Sequence, residues 1–88
     1  MSSMLGMDIG AVRNLAGQLM SKADEIDTIA NTLTSQLDGA QWIGPDATAF
    51  RGDWSSVHRA QLTTVANALR EASNRATANA NQQEQASA

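Results

Sequence analysis

No cysteine, no tyrosine and a single proline occur in this 88-residue chain, and each scarcity removes possibilities. Without cysteine there is neither a disulfide framework nor a thiolate metal site, and the redox compartment is left open. Cations are few, six against nine acidic residues, and they form no basic stripe with interleaved aromatics. Nucleic acid is therefore not an expected partner. The first seven residues, Met1-Ser2-Ser3-Met4-Leu5-Gly6-Met7, have neither the cationic start nor the apolar run of about 7–15 residues that a secretory signal peptide needs. No run approaches the roughly 18 apolar residues of a membrane span. If the protein leaves the cell, another route exports it.

What the chain does contain is periodicity. From Asp8, a capping residue, apolar positions recur at Ile9, Val12, Ala16, Leu19, Ala23, Ile26, Ala30, Leu33 and Leu37. The steps alternate three and four, which places all nine on one stripe of a helix with a period of about 3.5 residues. Met7 and Val12 have the separation of a hydrophobic staple. Leu15, Met20 and Ile29 flank the stripe and widen it beyond a two-stranded contact. Alanines at 16, 23 and 30, between leucine and isoleucine neighbours, let a facing helix approach closely. Asp38-Gly39 ends this arm, with Gly39 expected in the left-handed conformation that terminates a helix.

A second pattern runs through Ala47, Phe50, Trp54, Val57, His58, Leu62, Val65, Leu69, Ala72 and Ala76. Its four-residue steps from Phe50 through Trp54 and His58 to Leu62 are a stutter, which locally relaxes supercoiling. Pro45 suits the first helical position and Asp46 the first turn, where negative charge offsets the helix dipole. Glu71 and Arg75 have the spacing of a favourable surface pair. Beyond Arg75 no large apolar residue remains, so fraying is expected after about residue 80.

Between the arms stands Trp42-Ile43-Gly44-Pro45, a corner. The expected organisation is a single all-α domain: a flexible 1–7, helix 8–38, turn 39–45, helix 46–80 and flexible tail 81–88. The short connection makes the arms antiparallel. A two-helix layer cannot cover stripes this wide, so the hairpin is expected to dimerise into a four-helix bundle. The dimer seam would take Ile9, Val12, Ala16, Leu19, Ala23, Ile26, Ala30, Leu33 and Leu37 from the first helix. From the second it would take Phe50, Trp54, Leu62, Val65 and Leu69.

Trp42-Ile43-Gly44 at the midpoint of a short helical chain, followed by Ala47, Phe50 and Trp54, resembles the WXG family of small proteins exported by type VII (ESX) secretion systems. The resemblance spans nearly the whole chain. It implies a hairpin that pairs antiparallel with itself or with a paralogous WXG hairpin, export without a cleavable signal peptide from a bacterial cytoplasm, and recognition by a membrane ATPase of the secretion machine. It further implies that Trp42 and Gly44 belong to a composite export signal, completed by a Tyr-X-X-X-Asp/Glu near the C-terminus of the partner. Here that second half is degenerate: Ala80 stands where the tyrosine would be, four residues before Glu84. A heterodimer whose other member supplies the tyrosine is therefore the preferred expectation, a homodimer the alternative.

Chemistry finds little to work with. Ser55, Ser56 and His58 are neighbours, but no motif places a carboxylate to orient the ring. Asp24, Glu25 and Asp27 lack the glycine and spacing of a calcium loop. One histidine cannot build a histidine-rich metal site from its own chain. No enzyme, cofactor, metal or small-molecule substrate is implied. Two other classes stand beside the secreted substrate: a membrane-active hairpin, and an intracellular adaptor or chaperone of a larger secreted toxin.

Overall fold

A computed structural model describes residues 7–87 as an antiparallel helical hairpin. The first arm is one helix, α1 (Ile9–Gly39). The second consists of α2 (Pro45–Asp53), one π-helical turn (Trp54–His58) and α3 (Arg59–Ser87), continuous in the chain. Of the N-terminal stretch 1–7 only Met7 lies within the described residues, and Ala88 lies outside them.

The ends of α1 differ in how they are closed. At the start, the Asp8 carboxylate accepts a hydrogen bond from the Ala11 amide at 3.0 Å, satisfying one of the free donors of the first turn. At the finish, Gly39 stays helical, and the chain leaves through Ala40 in an extended conformation (φ −82°, ψ 138°). This corrects the expected left-handed Gly39. Among the described residues the positive-φ glycine is Gly44, at φ 135°, immediately before Pro45, which opens α2 with Asp46 in its first turn. A side chain at position 44 would strain the corner, whereas Gly39 needs no such freedom.

Between the arms lies a seam of small residues. Ala16, Ala23 and Ala30 on α1 are buried, as are Ala47, Trp54, Ala66, Ser73 and Ala80 on the second arm. The Ser73 hydroxyl donates to the Ala16 carbonyl across the seam at 2.6 Å, so the one buried polar residue among those described is satisfied. Small residues bring the helices close but bury little. A buried methyl contributes about 0.8 kcal/mol, against about 1.5–3 kcal/mol for a leucine or isoleucine side chain. A hairpin zipped by alanine is thus weakly held.

The π turn solves a problem of phase. Successive α-helical residues rotate by about 100°, so eleven of them complete close to three turns, whereas Trp54 and Ala66 are twelve apart. The wider turn absorbs the extra residue and returns Ala66, Ser73 and Ala80 to the face that holds Ala47 and Trp54. The Arg59 amide accordingly donates to the Trp54 carbonyl, five residues back. Ser56 and Ser55 donate their hydroxyls to the Gly52 carbonyl at 2.7 and 3.3 Å, serving an acceptor beside the disturbed ladder. The stutter read from Phe50 to Leu62 coincides with this turn.

The C-terminal tail departs from expectation. Instead of fraying after residue 80, the helix runs through Ser87. Ala80 is 0% exposed, and Arg13 donates to Asn81 at 2.8 Å and to both Glu84 oxygens at 3.1 and 3.2 Å. A seam made of alanine does not need large residues to continue, and these bonds tie its last turns to α1. The expected Glu71–Arg75 ion pair is not formed among the described residues; arginines elsewhere reach across the hairpin.

The result is a rod with principal extents of 65 × 17 × 15 Å and a radius of gyration of 19.4 Å. A compact domain of this length would have a radius near 12 Å. Its accessible surface is 6210 Å², where about 5,000 Å² is usual for a monomer of this mass. The elongated hairpin therefore keeps more surface in water than a globular chain of its mass.

Candidate functional site

The two broad sides of the rod differ in chemistry. If Ala16, Ala23 and Ala30 point at the opposite arm, Val12, Leu19, Ile26 and Leu33 fall some 40–60° to one side, with Leu15 and Ile29 farther round, at about 100° per residue. Arg13, Asp27 and Thr34 fall to the other side. On the second arm, Leu62, Val65, Leu69, Ala72 and Ala76 take the first sense from the Ala66–Ser73–Ala80 line, and Arg70 and Glu84 the second. In an antiparallel pair the same sense on both helices means the same broad face. One face is consequently polar and the other apolar.

The polar face is cross-linked along its length. Arg70 bridges Asp24 at 2.9 Å and also binds Asp27, Arg59 donates to Asn31 at 2.7 Å, and the Trp54 indole N–H donates to Thr34 Oγ1 at 2.9 Å. Arg13 and Glu84 close the open end. The hydrogen bond from Arg13 and its positive charge hold the Glu84 carboxyl below the usual glutamate range. Asp24, then Asp27, raise the Arg70 guanidinium further, as Glu84 does Arg13. Asp24 and Asp27, acids with no calcium-loop spacing, thus serve the register of the hairpin.

The apolar face has no such cover. Leu15, Ile29, Phe50, Val57 and Val65 are between 38% and 60% exposed, and all lie on it. Val12, Leu19, Ile26, Leu33, Leu62 and Leu69, nearer the seam, are half-buried, as are Ile9 and Leu37 at the two ends of the alanine line itself. Among the residues assigned from sequence to a dimer seam, Ala16, Ala23, Ala30 and Trp54 need correcting: they are already buried within one chain, because their own opposite arm covers them. Phe50, assigned from sequence to the dimer seam, is at the surface of the single hairpin. Its ring lies 6.1 Å from that of Trp42 and 6.4 Å from that of His58, an aromatic row leading from the corner onto the apolar face.

The corner itself closes the rod. Trp42 is 43% exposed and Ile43 92%. Sequence reading missed the residue that holds them. Arg51, on α2, donates to the Leu37 carbonyl through Nε (3.1 Å) and Nη2 (2.9 Å), to Ala40 through Nη2 (3.0 Å) and to Trp42 through Nη1 (2.6 Å). Its guanidinium carbon also sits 5.8 Å from the centre of the Trp42 ring. The signal was indirect: α1 has no basic residue in its last turn, so its free carbonyls required a donor from elsewhere. Gly44 and Pro45 set the turn, and Asp46 the first turn of α2, as read from the sequence.

At the open end, Ala80 and Glu84, the positions of the degenerate tyrosine motif, are both engaged within the hairpin. Ala80 has no exposed surface to present.

Against family models, characterised proteins and solved structures, the chain finds no match. No helix among the described residues is long and apolar enough to cross a membrane.

Proposed function

We propose that this chain is a type VII (ESX) secretion substrate of the WXG kind, exported from a bacterial cytoplasm as a folded dimer of hairpins that form a four-helix bundle. The observation that carries this reading is a single uncovered apolar face leading to an exposed Trp42-Ile43-Gly44 corner, on a rod whose opposite face is already cross-linked. A second hairpin laid on the apolar face covers Leu15, Ile29, Val57 and Val65 and leaves the polar face in water. Along the second arm that face passes from Phe50 near the corner to Ala72 and Ala76 near the open end. Two such arms match large against small when they run antiparallel.

The corner is the half of the export address that the secretion ATPase reads, and the partner contributes the other half. Burial of Ala80 in the hairpin's own seam favours a paralogous partner carrying the tyrosine, since in this chain the equivalent position is filled by packing. A homodimer is the alternative. The chain acts by protein–protein contact.

Export of Trp42→Ala tests the proposal. The variant is expected to keep its helicity and its partner and to accumulate in the cells, read by immunoblotting cells and medium. Normal secretion of that variant would reduce Trp42 to a pin for the turn. Retention of the unmutated chain in the cell while a larger partner appears in the medium would instead make it an adaptor.

A further inference from the structure

We propose that Arg51 is the positioning residue of the corner: it fixes the orientation in which the Trp42 ring is offered for recognition. This inference rests on the reading of the corner as a recognised element. The last four carbonyls of an α-helix have no partner within it. Arg51 serves the Leu37 carbonyl from the other arm, and the same guanidinium continues past the helix end to the carbonyls of Ala40 and Trp42. Among the described residues, the only backbone–backbone hydrogen bond at the corner outside the helices is Thr48 N–H to Gly44 carbonyl at 3.0 Å. From Ala40 to Trp42 the chain is held by Arg51.

Geometry makes the task one for arginine. Three carbonyls from different peptide units converge on one planar group with donors in a rigid fork, and the plane also lies near the indole. Phe50 supplies a second contact to the ring at 6.1 Å. Trp42 thus has Arg51 over its ring and Phe50 tilted against it while 43% of it stays open to a partner, whereas Ile43 beside it is almost wholly free. A lysine at 51 keeps the charge but is a point donor, unable to span Leu37, Ala40 and Trp42 together.

The test compares Arg51→Lys with Arg59→Lys, which removes a cross-arm hydrogen bond to Asn31 far from the corner. In a Trp54→Phe background Trp42 is the sole tryptophan, and its fluorescence reports its surroundings directly. Arg51→Lys is expected to keep wild-type helicity, shift Trp42 emission to the red, raise its quenching by acrylamide, and lose export to the level of Trp42→Ala. Arg59→Lys is expected to leave emission, quenching and export unchanged. Unaltered Trp42 quenching in Arg51→Lys overturns the proposal. So does raised quenching with wild-type export while Trp42→Ala is retained, because orientation would then be irrelevant to recognition. Normal export of Trp42→Ala would count against the export reading itself, and the quenching would still decide whether Arg51 holds the ring.

Discussion

Replacing Ala23 by leucine asks whether the two arms are truly zipped by small residues. Ala23 is 0% exposed at the middle of α1, and Ala66, also 0% exposed, occupies the same buried line on the opposite helix. The added carbons have no open surface to occupy. They must push the arms apart or force off-rotamer side chains, at a cost of about 1–3 kcal/mol. Helix propensity contributes almost nothing to the difference, because leucine is nearly as good a helix former as alanine. Ala68→Leu is the control: it makes the same chemical change at an exposed position of α3. For a chain this short each kcal/mol shifts Tm by about 4–8 °C. Thermal and urea unfolding followed by far-ultraviolet circular dichroism at one protein concentration should therefore separate the two variants clearly. Agreement between them within about 0.5 kcal/mol, the usual spread for surface substitutions, would refute close packing along the alanine line.

Leu33→Asp places a charge on the half-buried apolar face and is expected to abolish assembly while leaving a helical chain; a stable oligomer by light scattering would refute that face as the contact. Trp54→Phe removes the indole donor to Thr34 and some buried volume, and urea unfolding should show a loss of about 1–2 kcal/mol. Thr34 keeps its own bond to the Ala30 carbonyl, which limits the damage. Because Arg13 lowers the folded-state pKa of Glu84, the pair contributes stability above the unfolded glutamate value of about 4.3 and loses it as pH falls through the lower folded value. The stability difference between wild type and Glu84→Gln, followed by Tm against pH, should be constant above that window and shrink below it. A difference that persists in acid would place the effect elsewhere.

The helices, the corner and the helix starts were legible because they depend on neighbours in sequence. Asp8, Pro45 and Asp46 act within one turn of their own position, and the seven-residue spacing of Ala16, Ala23 and Ala30 is a one-dimensional pattern. The stutter around Trp54 was legible for the same reason, although periodicity did not say that a π turn would take up the odd residue. What periodicity could not do was divide one wide stripe between two neighbours. It assigned Ala23 and Ile29 to one broad surface, whereas the first faces the chain's own second arm and the second faces water. Arg51 was hidden because its acceptors are backbone carbonyls nine to fourteen residues away: the lack of a basic residue in the last turn of α1 shows that a donor is needed but not which one. The helix beyond Ala80 was not legible because large apolar side chains are the usual sign of packing in a sequence, and here alanine and serine pack instead.

The turn from Trp54 to His58 leaves one place in the second arm where the chain has slack. Elsewhere in the arm, loss of a residue would rotate everything beyond it by about 100° and swing the buried line out of the seam. Loss of one residue here would convert the wide turn into ordinary helix and keep Ala66, Ser73 and Ala80 facing α1. The second arm therefore tolerates the loss of a residue at this turn, which lies about two and a half helical turns from Pro45.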